Sequence, residues 1–224
     1  MKKLFLLLAL LTSLNFINTP KEAATQAPIY EVVINKNIPF LVQAPFADWK
    51  DPMQQDACEE ASMIMIDAWI NSYNLSKKDN LEQIVNLSNY IENKYGSWKD
   101  SNVEDIQNIL KDYFKIEKTQ IYYDTNLEEI KELLKEGKNL IVPINGQTIA
   151  NDNFSGTGPL NHMVVLIGYD EETRDFLAHD PGTRHGKEYR YPYENFVESI
   201  RNYKSSTEIS DRNEQRKVVL AIAK

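Results

Sequence analysis

The sequence predicts an α+β domain, with a helical half packed on a mostly antiparallel β-sheet. Segments with capping signals and helical apolar spacing come mainly first, and short β-like runs come mainly second. The run Met163-Val164-Val165-Leu166-Ile167-Gly168 carries no polar side chain, as expected of a strand buried on both faces near the middle of a sheet.

Taken in order, the chain of 224 residues opens with Lys2 and Lys3, a largely apolar run from Leu4 to Leu14, and polar sequence from Asn15. That order is characteristic of a secretory signal. The run is shorter than the ~20 predominantly apolar residues a spanning helix needs. Residues 1–27 are therefore expected to be a signal peptide or an N-terminal anchor. Thr25-Gln26-Ala27 fits a small-residue cleavage site, although Pro28 behind it is unfavourable. Residues 28–224 are expected to form one domain, secreted or extracytoplasmic and monomeric, attached to a membrane only where the leader is retained. Removing Lys2, Lys3, Lys21 and Glu22 reduces the 25 basic and 33 acidic residues to 22 and 32, a net charge of −10. Such a surface favours solubility and argues against nucleic acid as a partner.

Tyr30–Ile34 reads as the first strand. Asp56 as N-cap and Glu59 three residues later read as a capping box, and behind them Ala57, Ala61, Ile64, Met65, Ala68 and Trp69 recur at helical spacing. Three further capping pairs, Asp79–Glu82, Ser101–Glu104 and Asn126–Glu129, each precede a helical apolar face, and Gly137 is placed to end the last helix. Strands are expected over Ile116–Tyr122, Leu140–Ile144, His162–Tyr169, Phe176–His179 and Lys217–Ala223. The Gly/Asn/Thr-rich stretch from Asn145 to Leu160 is long for a loop, and a rim or lid is expected of it. Trp49 and Trp98 are read as core rather than cleft.

Cys58 is the only cysteine, so no intramolecular disulfide can form, and a lone thiol is a liability in an oxidising compartment. It falls in the first turn of its helix. There the backbone N–H groups lack intrahelical partners and the dipole is positive, which favours a thiolate and provides donors for an oxyanion. Of the three histidines, His162 heads the apolar strand. A turn near Glu171 or Glu172 then makes His162 and Asp180 cross-strand neighbours, ~4.5–5.5 Å between Cβ atoms if opposite and ~7–8 Å if diagonal. An imidazole beside a carboxylate is what a base and its orienting group require. Asp180 also begins Asp180-Pro181-Gly182-Thr183, a strong turn signal in its own right. His179 is expected on the opposite face of its strand and His185 in a polar loop, both structural. Glu59 and Glu60 oppose ionisation of Cys58. With Glu59 held in the cap, the dipole and His162 are expected to dominate and the thiol to ionise below pH ~7, under its ordinary ~8.5.

Gln43, Gln55-x-x-Cys58 opening a helix, Asn161-His162 before an apolar strand ending in Gly168-Tyr169, and His179-Asp180-Pro181 together resemble the double-glycine-leader (bacteriocin-processing) peptidase family and its stand-alone exported relatives, in the papain-like clan of cysteine peptidases. The similarity spans roughly Ile38 to Ala223. It implies a papain-like fold with Cys58 as nucleophile, His162 as general base and Asp180 as its orienting partner. It also implies an upstream glutamine as oxyanion donor. Gln43 matches the family position best, with Gln54 and Gln55 as rivals closer to the cysteine. The implied reaction is hydrolysis of a peptide bond in a peptide or protein substrate, through a thioester and without a cofactor. Two departures stand out. Many relatives have glycine directly after the cysteine, where this chain has Glu59, and leader peptidases usually sit on a transporter segment that this chain lacks.

The sequence contains no glycine-rich phosphate loop and no dinucleotide fingerprint, and its one cysteine and three histidines lack metal-like spacing. Two alternatives stay open: a transglutaminase-like acyl transferase using the same residue types, and a catalytically inactive peptidase-like binding module.

Overall fold

The computed structural model describes residues 30–205 and 216–224, so the signal or anchor expected over residues 1–27 lies outside the described residues. Among the described residues seven strands form one sheet: β1 (Val32–Ile34), β2 (Thr119–Tyr123), β3 (Asn139–Ile144), β4 (His162–Asp170), β5 (Asp175–His179), β6 (Tyr189–Pro192) and β7 (Val218–Ile222). Their order is β2-β7-β3-β4-β5-β6, with β1 joined to the end of β4, and every pairing is antiparallel. The last strand, β7, is inserted between β2 and β3.

The sheet is covered on both faces. Met163, Val165 and Ile167 of β4 enter one core with α2 (Cys58–Asn71), α3 (Lys77–Tyr95) and α4 (Val103–Asp112). Val164, Leu166 and Tyr169 enter the other with α5 (Leu127–Lys135) and α6 (Tyr193–Ser199). Strand periodicity of two explains the division up to Ile167, the register shift between Leu166 and Gly168 accounts for Tyr169, and burial on both faces explains the unbroken apolar run of β4. The α+β architecture expected from the sequence is present, with one refinement. The last two helices sit across the sheet from the first ones.

The helix carrying Cys58 is buried almost all round, not along one face: Met63, Ile64, Met65 and Ile66 are all inaccessible. Its expected cap is different too. Asp51 caps a preceding single turn, α1 (Pro52–Gln55), accepting from the Met53 N–H at 3.0 Å, with Pro52 at the first helical position. Asp56 closes that turn, its N–H bonded to Pro52 O, and Ala57 stands at the N-cap of α2 without a side-chain bond. No capping box forms at Glu59. Further on, Ser76 with Asp79 forms the capping box of α3, and Asn102 caps α4 in place of Ser101. The Asn126–Glu129 box forms as expected, and Gly137, at φ 82°, lets the chain leave α5. Three elements went unread, α1, β6 and α6.

The β4–β5 hairpin pairs Val165 with His179 and Leu166 with Ala178, and shifts register between Leu166 and Gly168. Carried one step further, this register sets Asp180 opposite Val164 and diagonal to His162. Among the described residues no helix is long and apolar enough to cross a membrane.

Candidate active site

Three segments converge on one open cleft of about 860 Å³, lined by Gln43, Trp49, Gln55, Cys58, Glu59, Asp100, His162 and Gly182 among others. The start of α2 brings Cys58, the start of β4 brings His162, and the turn after β5 brings Gly182 beside Asp180. The loop before β4 forms one wall with Asn153, Phe154, Pro159 and Leu160, as its length and composition suggested. Trp49, 41% exposed, also lines the cleft, while Trp98 packs against the helical core.

His162 Nε2 lies 2.7 Å from Asp180 Oδ1, and both side chains are buried. This leaves Nδ1 as the nitrogen available to a nucleophile. The Phe154 ring packs edge-on against the imidazole, with centroids 5.2 Å apart, and limits its tilt. Asp180 Oδ1 also accepts the Gly182 N–H at 2.8 Å, while Oδ2 accepts from Asn151 Nδ2 at 3.1 Å and from the Tyr191 hydroxyl. Burial alone would raise this carboxyl. The charge of His162 and its hydrogen bond, with those of Tyr191 and Gly182, outweigh burial and hold it below its ordinary range. Asn151, Tyr191 and Gly182 were not singled out in the sequence. Asn151 and Tyr191 meet Asp180 only through tertiary folding, though the Asp-Pro-Gly turn did place Gly182 close by.

Cys58 is buried apart from 6% of its surface. Its Sγ donates to Glu59 Oε2 at 3.0 Å, and Glu59 Oε1 accepts from the Tyr203 hydroxyl at 2.5 Å. Burial, the Glu59 charge and its hydrogen bond push the thiol well up, and the Met163 N–H, aimed at the sulfur from β4, opposes them only in part. This reverses the expectation of a thiol ionised below its ordinary range. That expectation placed Glu59 in a capping box, whereas its carboxyl turns inward onto the sulfur. Burial likewise raises Glu59 to about 7, against the hydrogen bonds of Cys58 and Tyr203, which lower it.

The glutamines separate clearly. Gln54 is buried, gives its amide to Asp51 Oδ2 at 2.8 Å and lies off the cleft wall. Gln55 is exposed on that wall. Gln43 is buried there, and its Nε2 donates to the carbonyls of Gln54 at 3.1 Å and Gln55 at 2.7 Å, so it braces the turn leading into Cys58. His179 spans two backbone groups, Ile38 O at 3.2 Å and the Glu188 N–H at 3.1 Å, and serves the core. His185 is exposed on the cleft rim. Among the described residues no group of three or more His, Cys, Asp or Glu side chains is gathered as a metal centre requires.

The model of the Peptidase_C39 like family matches residues 35–210, most of the chain and every residue of the site just described. The chain belongs to this C39-like peptidase family. Its fold is similar to the crystal structure of a Bacillus anthracis protein regarded as a C39-like peptidase, with a TM-score of 0.55 at 18% identity, over 87% of this chain and 98% of that one. At that identity the likeness speaks for the fold, and the C39-like chain shares its α+β, papain-like architecture. No curated protein sequence matches it.

Proposed function

We propose that this C39-like protein is an exported cysteine peptidase that cleaves a peptide bond through a thioester. The observation that carries the reading is the 2.7 Å contact of His162 Nε2 with Asp180, beside Cys58 in the same cleft. Because the thiol rests protonated, proton transfer to His162 Nδ1 accompanies attack of Sγ on the scissile carbonyl carbon. The oxyanion that forms is received by backbone N–H groups at the start of α2, which have no intrahelical acceptor. Gln43 is the side-chain donor, giving up one of its two carbonyl partners as the charge develops. His162 returns the proton to the departing amine as the C–N bond breaks. It then takes a proton from water, whose oxygen attacks the thioester and releases a carboxylate and the free thiol. Asp180 holds the imidazole in place and stabilises the imidazolium.

The test is hydrolysis of a peptide library by the wild type, Cys58→Ala and His162→Ala, with a primary amine present in a parallel set. Both variants are expected to fold and to lose cleavage, and the wild-type product to end in a free carboxylate. Retained cleavage in Cys58→Ala would overturn the reading. An amide product would point to acyl transfer, and an inert wild type to a binding module.

A further inference from the structure

Glu59 is an unusual neighbour for a nucleophilic sulfur. A carboxylate 3.0 Å from Sγ disfavours the thiolate, and only 2% of the residue is exposed. It does not occupy the N-cap of α2, and the groups that bond its carboxyl, Cys58, Tyr203 and its own backbone N–H, are all neutral. Burying a carboxyl with neutral partners is costly, and a helix start can be stabilised by an exposed acid instead. The side chain therefore serves the sulfur rather than the helix.

We propose that Glu59 is a further catalytic residue of this site: ionised, it holds Cys58 as a thiol, and protonated, it donates its own hydrogen bond to the thiolate. This rests on the peptidase reading above. With Glu59 ionised, loss of the thiol proton sets two anions in contact. When Glu59 takes up a proton, the thiol proton can pass to His162 while the carboxyl O–H turns to the sulfur. The balance is one proton on Glu59, one on His162 and none on Sγ, the same number as in the protonated-thiol, protonated-Glu59 state with a neutral imidazole. Burial raises the Glu59 carboxyl to about 7, so both of its protonation states are populated near neutral pH.

The groups facing Glu59 are known from each side. Tyr203, after α6, donates to it and favours the anion. Asp100, in the connection between α3 and α4, disfavours the anion by its charge. Glu60, in the same turn, is itself pushed well up by burial and then by the Glu59 charge. From β4 come the Met163 N–H, on the sulfur, and His162, across the cleft.

Iodoacetamide alkylation of Cys58, followed by mass spectrometry across pH 5.5–9, tests the proposal without any substrate. Glu59→Gln removes the charge at every pH and keeps a donor. It is expected to be alkylated about tenfold faster than wild type at pH 8, the effect of one contacting like charge, with the ratio closing towards unity at pH 6. Tyr203→Phe removes a bond that favours the Glu59 anion, so the pH at which labelling stops rising and falls behind that of Glu59→Gln should move upward. Equal rates at pH 8 in folded wild type and Glu59→Gln, or a ratio that does not change with pH, would overturn it. Should Glu59→Gln fail to fold, Tyr203→Phe decides alone, and an unmoved pH profile would overturn the proposal. Failure of the peptidase reading shows itself separately, as cleavage that survives Cys58→Ala.

Discussion

The Asp180 carboxylate has no exposed surface and four donors: the His162 ring, the Gly182 N–H, the Asn151 amide and the Tyr191 hydroxyl. These fill the roughly four acceptor positions of an ionised carboxylate, which makes charge, not shape alone, the property the site needs. Asp180→Asn keeps the volume but sets an amide N–H₂ against groups that also donate. In the peptidase reading, kcat is expected to fall about 10³–10⁴-fold with KM little changed, leaving residual activity above that of Cys58→Ala. Steady-state kinetics of the two variants check this, and equal losses would contradict it. The lowered ionisation of Asp180 also has a sign for stability. The folded chain releases this proton more readily than the unfolded one, so the contribution is present above the ordinary ~3.9 and is lost as pH falls through the lower folded value.

The turn between β5 and β6 shows how an element, rather than a side chain, positions the base. Gly182 has an ordinary backbone conformation, so its constraint is room: a Cβ there would lie 2.8 Å from His162 Cε1 and 3.1 Å from Nε2. Gly182→Ala must displace the ring or the N–H bonded to Asp180. A shift approaching 1 Å is expected to lower kcat about 10²-fold while thermal stability changes little. Kinetics beside a melting curve check this, and unchanged turnover would show the ring to be free to move. The β4–β5 hairpin that leads into this turn was legible, because its register follows from one turn and the period of a strand. Helix α5 was legible for the same kind of reason: its cap and its glycine are local signals. The direction of Glu59 was not, because Tyr203, which receives it, lies 144 residues away. A local rule assigned Glu59 to a cap, while tertiary contact turned it inward. Asp51-Pro52 was a local signal for α1 that went unread, as was the spacing of Tyr193, Phe196 and Ile200 for α6.

Across the whole molecule, the layering that buries α2 between the sheet and helices α3 and α4 seals two adjacent carboxyls away from water. Glu60 has no exposed surface; Ser88 Oγ donates to its Oε1 at 2.9 Å, and its Oε2 has no partner among the described residues. Burial, then the Glu59 charge, pushes the Glu60 carboxyl well above its ordinary 4.5, so the folded chain keeps a proton that the unfolded chain releases. Between those two ionisations the folded state binds more protons, and stability must fall as pH rises. Glu59, raised from 4.5 to about 7, adds to the loss within that window. Asp180 acts in the opposite direction only below the ordinary carboxylate range. Glu60→Gln retains an acceptor for Ser88 and cannot ionise. Relative to wild type, its Tm is expected to gain at least about 3 °C between pH 4.5 and pH 8, what ~1 kcal/mol gives in a chain of this size. Any packing cost of the amide is common to both pH values and drops out of that difference. Thermal melts of the two proteins at both pH values check it. A difference that stays constant with pH would mean that the unfolded chain holds the Glu60 proton as tightly as the folded one, and that burial at the start of α2 carries no electrostatic cost.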